Sequence, residues 1–248
     1  MLTLIGLGLH DEKDLTLRGI EAAKVAKKVY VEFYTSCWHG SLKNMERIVG
    51  KKIFVLVRKD LEEEAKKIIE EAKNKKIVLF IQGDPLVATT HITLIQEARK
   101  RKVKVKIIHN ASIVSAIGET GLHLYKFGPT VTIPFPEKTK GKLPESLYEV
   151  IRENKKRGLH TLCLLDVVAE DKKYMSVQEG LNILLELENK RKEDVLNENT
   201  EVVVFSDAGG KNSLVFDKVK NLLKRNFEKP VVIIIPGILH FTEREFLT

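Results

Sequence analysis

The sequence predicts an α/β protein of two α/β domains, with a parallel sheet in the N-terminal domain and a mixed sheet in the C-terminal one. Three observations carry that expectation. Short, continuous apolar runs such as Leu2 to Leu7 and Ile77 to Ile81 read as strands buried on both faces. Segments with apolar residues at helical spacing separate them, the alternation that gives a parallel sheet covered by helices. A stretch containing Gly121, Gly128, Pro129, Pro134 and Pro136 then breaks the pattern near its middle and reads as a crossover.

Taken in order, Leu2 to Leu7 is the first strand and Leu15 to Lys28 the first helix. Val29 to Phe33 and Ile53 to Val57 are the next strands. Leu61 to Lys73 reads as an amphipathic helix, because Leu61, Ala65, Ile68, Ile69 and Ala72 share one face. Ile77 to Ile81, a helix over Thr89 to Lys102 and the strand Val105 to Ile108 complete the first domain. Beyond Ser112 come a short helix through Gly118, a strand near Val131, a helix from Pro144 to Lys156 and the strand Thr161 to Asp166. Ser176 and Glu179 form a capping box for a long leucine-rich helix. Strand Val202 to Phe205, a helix near Phe216 to Leu223 and strand Val231 to Ile235 close the second unit. The expected domains are 1–112 and 113–248.

Composition narrows the function classes. The 248 residues are 43% hydrophobic and 31% charged, a mix that excludes disordered and fibrous proteins. Two cysteines, Cys37 and Cys163, are too few for a disulfide scaffold and point to a reducing, intracellular compartment. No run reaches the ~20 apolar residues of a membrane helix, and the N-terminus reads as a strand rather than a signal peptide. Lys and Arg number 42 against 34 Asp and Glu, a net charge of +8. That surplus is scattered over short runs at helix C-termini, where the helix dipole favours cations, so direct nucleic-acid binding is not expected. A large acidic partner fits the net charge.

Three loops follow strands at one sheet edge, where open α/β folds bind ligands. The first, Gly6 to Asp11, has the setting of a dinucleotide fingerprint, and Glu32 ends the next strand where a ribose acid would lie. Asp11, however, stands at the third glycine position, so a pyrophosphate would meet a carboxylate. A tight structural turn and close backbone approach to a ligand without phosphate both remain open. The second loop is Gln82 to Thr90. Asp84 can cap a helix with Pro85 at its first position, or the loop can line a cleft. In the third, His109 to Ile113, Ser112 can cap the next helix. Ser206 to Gly210 offers a similar turn in the second domain. No Walker loop, HExxH, CxxC pair or GxSxG elbow occurs, and Cys37 with His39 lacks a matching ligand pair, so no metal is expected.

The opening IGLGLHDEKDLTLRGIEAAKVAKKVYVEFYTS, the segment GDPLVATTH and NASIVSAIGETGLHLYKFG resemble archaeal diphthine synthases, a family within the tetrapyrrole-methylase-like methyltransferases. The likeness runs on through RGLHTLCLLDVVAEDKKYMS, VVVFSDAG and PGILHFTEREFL, covering essentially the whole chain. It implies a cytoplasmic, homodimeric enzyme that uses S-adenosylmethionine and releases S-adenosylhomocysteine. The implied acceptor is the amino group of a carboxy-aminopropyl histidine on translation elongation factor 2, a step of diphthamide biosynthesis. The implied cofactor contacts are Leu9, Asp84, Val87, Ser112 and Ile113 in the first domain and Leu165, Ala208 and Val231 in the second, with the cofactor in the cleft between domains. At position 231 this chain has valine where some relatives have histidine; a backbone contact survives that change and a side-chain contact does not. No catalytic residue is implied, since a neutral amine can attack an already activated methyl unaided. The alternatives are a tetrapyrrole-type small-molecule methyltransferase and a non-catalytic binding module of the translation machinery.

Overall fold

A computed structural model describes residues 1–248, apart from the side chain of residue 170. The chain folds into two compact units, residues 1–114 with 169–171 and residues 115–168 with 172–248.

The first unit is built on five strands: β1 (Leu2–Gly6), β2 (Lys28–Glu32), β3 (Ile53–Leu56), β4 (Ile77–Ile81) and β5 (Val105–Ile108). All pairings are parallel, in the order β3-β2-β4-β1-β5. Both central strands, β1 and β4, are buried at every residue, which is why they read as unbroken apolar runs. Among the described residues, five α-helices accompany the sheet: α1 (Leu17–Lys24), α2 (Leu42–Val49), α3 (Arg58–Glu62), α4 (Ala65–Asn74) and α5 (Ile92–Lys100); α6 (Ile113–Ala116) spans the boundary to the second unit. Leu2, Leu4, Leu79 and Ile81 pack with Ile69 and Ala72 of α4 and Ile95 and Ala98 of α5. On the opposite face Ile5, Val31 and Phe80 pack with Ala23 of α1 and Met45 and Val49 of α2. Each such side chain contributes roughly 1.5–3 kcal/mol by leaving water. Register places Gly6 opposite Ile81 and Ile5 opposite Ile108, so β1, β4 and β5 end nearly flush.

The second unit contains β6 (Val131–Ile133), α7 (Glu145–Lys156), β7 (Thr161–Leu165), the short pair β8 (Val167–Val168) and β9 (Lys173–Tyr174), and α8 (Val177–Arg191). It continues with β10 (Glu201–Ser206), β11 (Ser213–Lys218), α9 (Val219–Leu222), β12 (Val231–Ile235) and α10 (Phe241–Leu247). The sheet order is β11-β10-β12-β7-β6, parallel only between β6 and β7 and therefore mixed. Ile133, Cys163, Val204 and Ile233 meet Ile151 of α7, Leu181 and Leu184 of α8 and Leu222 of α9 in one core. The Ser176–Glu179 capping box opens α8 as the sequence predicts.

Several elements differ from expectation. The segment near Phe216 expected as helix is the edge strand β11, paired antiparallel with β10 from Leu214 opposite Phe205 to Lys218 opposite Glu201; only Val219–Leu222 is helical. That pairing satisfies the β10 backbone and overrides local propensity. The single helix expected over Leu61 to Lys73 is interrupted, because the amides of Glu63 and Glu64 both donate to the Lys59 carbonyl and close α3 before α4 begins. α1 starts later than expected, where the Thr16 hydroxyl accepts from the Gly19 amide, and it ends at Lys24. Neither α2 nor α10 was expected. Among the described residues, no helix is long and apolar enough to cross a membrane.

Candidate functional site

In the first unit the three loops that follow β1, β4 and β5 are joined by main-chain hydrogen bonds. Past Gly6, the Gly8 amide donates to the Gly83 carbonyl at 3.2 Å and the Gly83 amide returns to the Gly8 carbonyl at 3.1 Å. Both glycines have positive φ, +85° and +64°, a conformation costly for any L side chain. Gly6 is needed for space: a Cβ there would lie 2.5 Å from the Gly83 carbonyl oxygen and 2.7 Å from the Asn110 Cβ. The Asn110 side-chain amide donates to the carbonyls of Gly6, at 3.0 Å, and Asp14, at 2.9 Å. The Asp14 carboxylate in turn accepts from the amides of Leu9 and His10 at 3.0 and 2.7 Å.

Asp84 does not cap a helix. Its Oδ1 accepts from the Leu86 amide at 3.0 Å, and its Oδ2 accepts from the Asn110 amide at 3.2 Å and lies 2.8 Å from His109 Nδ1. The carboxylate thus ties the second loop to the third. Residues 85–91 stay out of the helix, with Ala88 at a φ of +53°, and α5 begins only at Ile92. Ser112 is buried immediately before α6, and its Cβ would be 3.7 Å from a Cβ on Gly83. Leu9, Val87 and Ile113 are half-buried on these same loops, so the structure brings all five N-terminal candidates to one sheet edge.

Glu32 lies beneath them, fully buried, where a fingerprint reading would want a ribose contact. Instead its carboxylate accepts from the amides of Tyr34, Thr35 and Gln82 and from the Thr35 hydroxyl. Burial pushes its pKa up against these bonds. His91 ends the GDPLVATTH segment, 2% exposed, with Nε2 3.5 Å from the Tyr34 hydroxyl. Burial, helped by the Arg58 charge, pushes it down to about 4, so it is neutral at pH 7. The roles of Asp14 and Glu32 escaped the sequence reading because each acts on main chain, and no spacing announces that.

In the second unit the strand ends gather the other three candidates. β7 ends at Leu165, and one register step beyond the Val232–Leu164 pair brings Val231 opposite it. Ser206 faces Val231 across β10 and β12, and Ala208 follows two residues later, with Asp207 donating to the Pro230 carbonyl. The Val231 side chain is 8% exposed and packs in the core, so what it presents beyond that core is its backbone. Leu165 also packs its side chain inward, against α8 at Gly180.

Orphaned polar atoms show what these sites suit. Both the oxygen and the nitrogen of the Gln82 side chain are buried without a partner, and so is the Ser206 hydroxyl. A buried unpaired polar group costs about 1–3 kcal/mol, which a ligand can recover. Residues 6–11, 82–91 and 109–113 contain no Lys or Arg, so the donor set offers main chain, amide, hydroxyl and carboxylate but no phosphate anchor. That chemistry fits S-adenosylmethionine, which is cationic at sulfur and carries no phosphate.

The profile of the family described as Tetrapyrrole (Corrin/Porphyrin) Methylases matches residues 1–223. A diphthine synthase from Methanocaldococcus jannaschii is 51% identical over 100% of this chain and 97% of its own length. One from Methanococcus maripaludis is 49% identical with the same coverage. A crystal structure of diphthine synthase superposes with a TM-score of 0.88 at 38% identity, covering 99% of this chain and 94% of that one. The chain belongs to the tetrapyrrole methylase family and, within it, to the diphthine synthases.

Proposed function

We propose that this protein is the S-adenosylmethionine-dependent methyltransferase that methylates the amino group of the carboxy-aminopropyl histidine of translation elongation factor 2. The observation that carries this reading is the backbone-rich loop cluster without Lys or Arg, on a chain 51% identical over 100% of its length to a diphthine synthase. Bound S-adenosylmethionine supplies an electrophilic methyl group on a positively charged sulfur.

The protein's residues bind and align. Gly8 and Gly83 let the first two loops meet main chain to main chain, and Leu9, Val87 and Ile113 give apolar walls to the adenosine portion. Ser112 adds a hydroxyl and Gln82 its unpaired amide. Asp84 holds the second and third loops at fixed spacing and favours a cation nearby, an attraction that serves binding more than rate. Leu165, Ala208 and Val231 are the contacts from the second unit, Val231 through its backbone. An α-amino group with a pKa near ~8 is made neutral at pH 7 for about 1 kcal/mol, so alignment rather than a general base accelerates transfer. The enzyme works as a homodimer in the cytoplasm of an archaeal cell.

The test is methylation of purified factor, followed by mass spectrometry. Whole methyl masses should appear on the modified histidine and nowhere on factor lacking the aminopropyl extension. The net charge of +8 meeting an acidic acceptor makes the reaction slower in high salt, since exposed charges are screened within ~8–10 Å. Equal labelling of modified and unmodified factor, or labelling of a tetrapyrrole alone, overturns the assignment.

A further inference from the structure

Along the chain the basic runs are scattered; in the fold of the first unit they are not. Each helix between parallel strands runs back against the sheet and ends at the edge where the next strand begins. The segments 24–28, 50–53, 73–77 and 99–104 are four such entries, into β2, β3, β4 and β5, and they hold thirteen Lys and Arg with no Asp or Glu. Hydrogen bonds join the entries side by side in the order of the strands. Lys51 Nζ, ahead of β3, donates to the Ala26 carbonyl ahead of β2, and the Lys27 amide donates to the Lys76 carbonyl at 2.8 Å. The Ile77 amide donates to the Met1 carbonyl at 2.9 Å, and the Leu2 amide to the Lys104 carbonyl at 2.9 Å. With neighbouring strands ~4.8 Å apart, the five entries make a row roughly 19 Å long.

Few of these charges are answered. Lys28 pairs with Glu71 at 3.1 Å and Lys73 with Glu70 at 2.7 Å. Arg101 pairs with Glu70 and Glu97 at 2.9 and 2.8 Å, and Lys100 lies 4.0 Å from Glu97. Among the described residues the other nine have no carboxylate partner, which exceeds the whole chain's net charge of +8. Lys27, Lys52, Lys75, Lys76, Lys102 and Lys104 are all exposed. The helix dipole accounts for cations in a last turn, but Lys27, Lys52, Lys76 and Lys104 stand beyond the helix ends. There they repel one another unless an anion lies across them.

We propose that this row binds the phosphate backbone of double-helical RNA. A nucleic-acid duplex carries about one negative charge per ~1.7 Å of its axis, so ~19 Å of duplex offers at least one phosphate to each unpaired cation of the row. An acidic protein suits the row less. Protein interfaces centre on apolar and aromatic side chains and are poor in lysine, whereas Val25 is the one exposed large apolar side chain of the four segments. A single strand also suits it less, because its bases need rings to stack on. The rings beside the row, Tyr30 and Phe54, already carry lysines: Lys28 lies 4.8 Å from the first and 5.4 Å from the second, and Lys52 5.5 Å from the second. The choice of RNA over DNA rests on the function proposed above, whose acceptor is a translation factor; the phosphate chemistry stands without it.

Position keeps this binding apart from catalysis. The row stands where β1, β4 and β5 begin, whereas the loops bearing Leu9, Asp84 and Ser112 follow the ends of those strands. The five residues of β1 separate the two edges by roughly 17 Å. RNA on the row leaves the cofactor loops of this unit uncovered, so a phosphate backbone can be held at one edge of the sheet while the acceptor is methylated at the other.

The test uses the full chain and a short labelled RNA duplex of mixed sequence, read by fluorescence anisotropy. The expected dissociation constant is on the order of 10⁻⁶–10⁻⁴ M at physiological salt, falling steeply as salt is lowered. Lys52→Glu, Lys75→Glu, Lys76→Glu and Lys104→Glu together should weaken binding at least ~50-fold and reduce the slope of log K against log salt by about four. The exposed lysines 140, 142, 192 and 224 of the second unit, changed together to glutamate, remove the same charge and should leave binding within ~5-fold, since distant charges are screened. In the unsubstituted protein, RNA should protect Lys75, Lys76 and Lys104 from amine acylation, read by mass spectrometry. Circular dichroism reports the fold of both variants, and methylation of free modified factor by the first should match that of the unsubstituted protein. RNA binding is thus measured whether or not the proposed acceptor is methylated. Absence of binding at ~50 mM salt overturns the proposal, as does equal binding by the two variants or protection of lysines elsewhere. Tighter binding to a DNA duplex of the same sequence, or displacement of the RNA by polyglutamate of equal charge, overturns it as well.

Discussion

Replacing Glu243 by glutamine should cost the second unit about 3 kcal/mol at neutral pH. Burial alone would raise the Glu243 carboxyl, but Lys126, the His123 and His240 amides and His160 outweigh it and hold the pKa at about 2. Against an unfolded value near ~4.5, the depression corresponds to about 3 kcal/mol. Because the folded pKa is the lower one, this stability is fully present above pH ~4.5. It is lost as pH falls through that value toward about 2. Glutamine does not titrate there, so the gap between wild type and variant should be widest at pH 7 and close progressively below pH ~5. Burial holds the His160 imidazole below its ordinary range while Glu243 pulls it back up, so glutamine leaves His160 lowered further and still neutral. With an m-value of ~2 kcal/mol/M, the urea midpoint should fall by about 1.5 M at pH 7. Urea titrations at a series of pH values measure this directly. Midpoints that stay parallel from pH 7 to pH 3 would refute the electrostatic account and leave Glu243 a neutral hydrogen-bond acceptor.

Asp84→Ala removes the acceptor that ties Leu86 and Asn110 together, and calorimetry should show S-adenosylmethionine binding at least ~10-fold weaker with a stability loss of about 2 kcal/mol. Binding as tight as wild type would make Asp84 dispensable to the cradle. Val87→Asp places a charge in the apolar wall and should abolish measurable cofactor binding while the circular dichroism spectrum is retained. Gly6→Ala drives a methyl into the Gly83 carbonyl and should lower stability by roughly 1–3 kcal/mol, read by thermal melting.

The sequence discloses the first sheet almost residue for residue: β1 and β4 are buried at every residue, and the edge strands β3 and β5 are still short runs rich in Ile and Val. Ile77–Ile81 and Val105–Ile108 are bounded as expected. The mixed sheet is less legible at its edge: Leu214, Val215 and Phe216 suit helix or strand, and only the unpaired side of β10 decides between them. The three loops are visible as glycine turns after strands. What cannot be seen is that Asp84 gives its oxygens to two main-chain amides and the His109 ring, or that Glu32 and Asp14 accept from the amides of the cluster. Those roles depend on which amides happen to be orphaned once the strands are stacked. Glu243 is similarly silent, one carboxylate in a charged helix until its neighbours from 123, 126 and 160 arrive around it.

The reciprocal bond pair between Gly8 and Gly83 has a consequence for how such a protein can change. A cradle whose loops are held by peptide groups is nearly deaf to side-chain identity at its neighbours, yet it has no second solution at Gly6 and Gly8, where a Cβ would collide. In a library of all single substitutions selected for cofactor binding, positions 6 and 8 should accept almost nothing, whereas 9, 87 and 113 should exchange freely among apolar residues. An inhibitor that draws its affinity from the main chain of these loops would leave the protein little room for resistance. Escape would have to come from residues that shift the loops rather than from those the inhibitor touches.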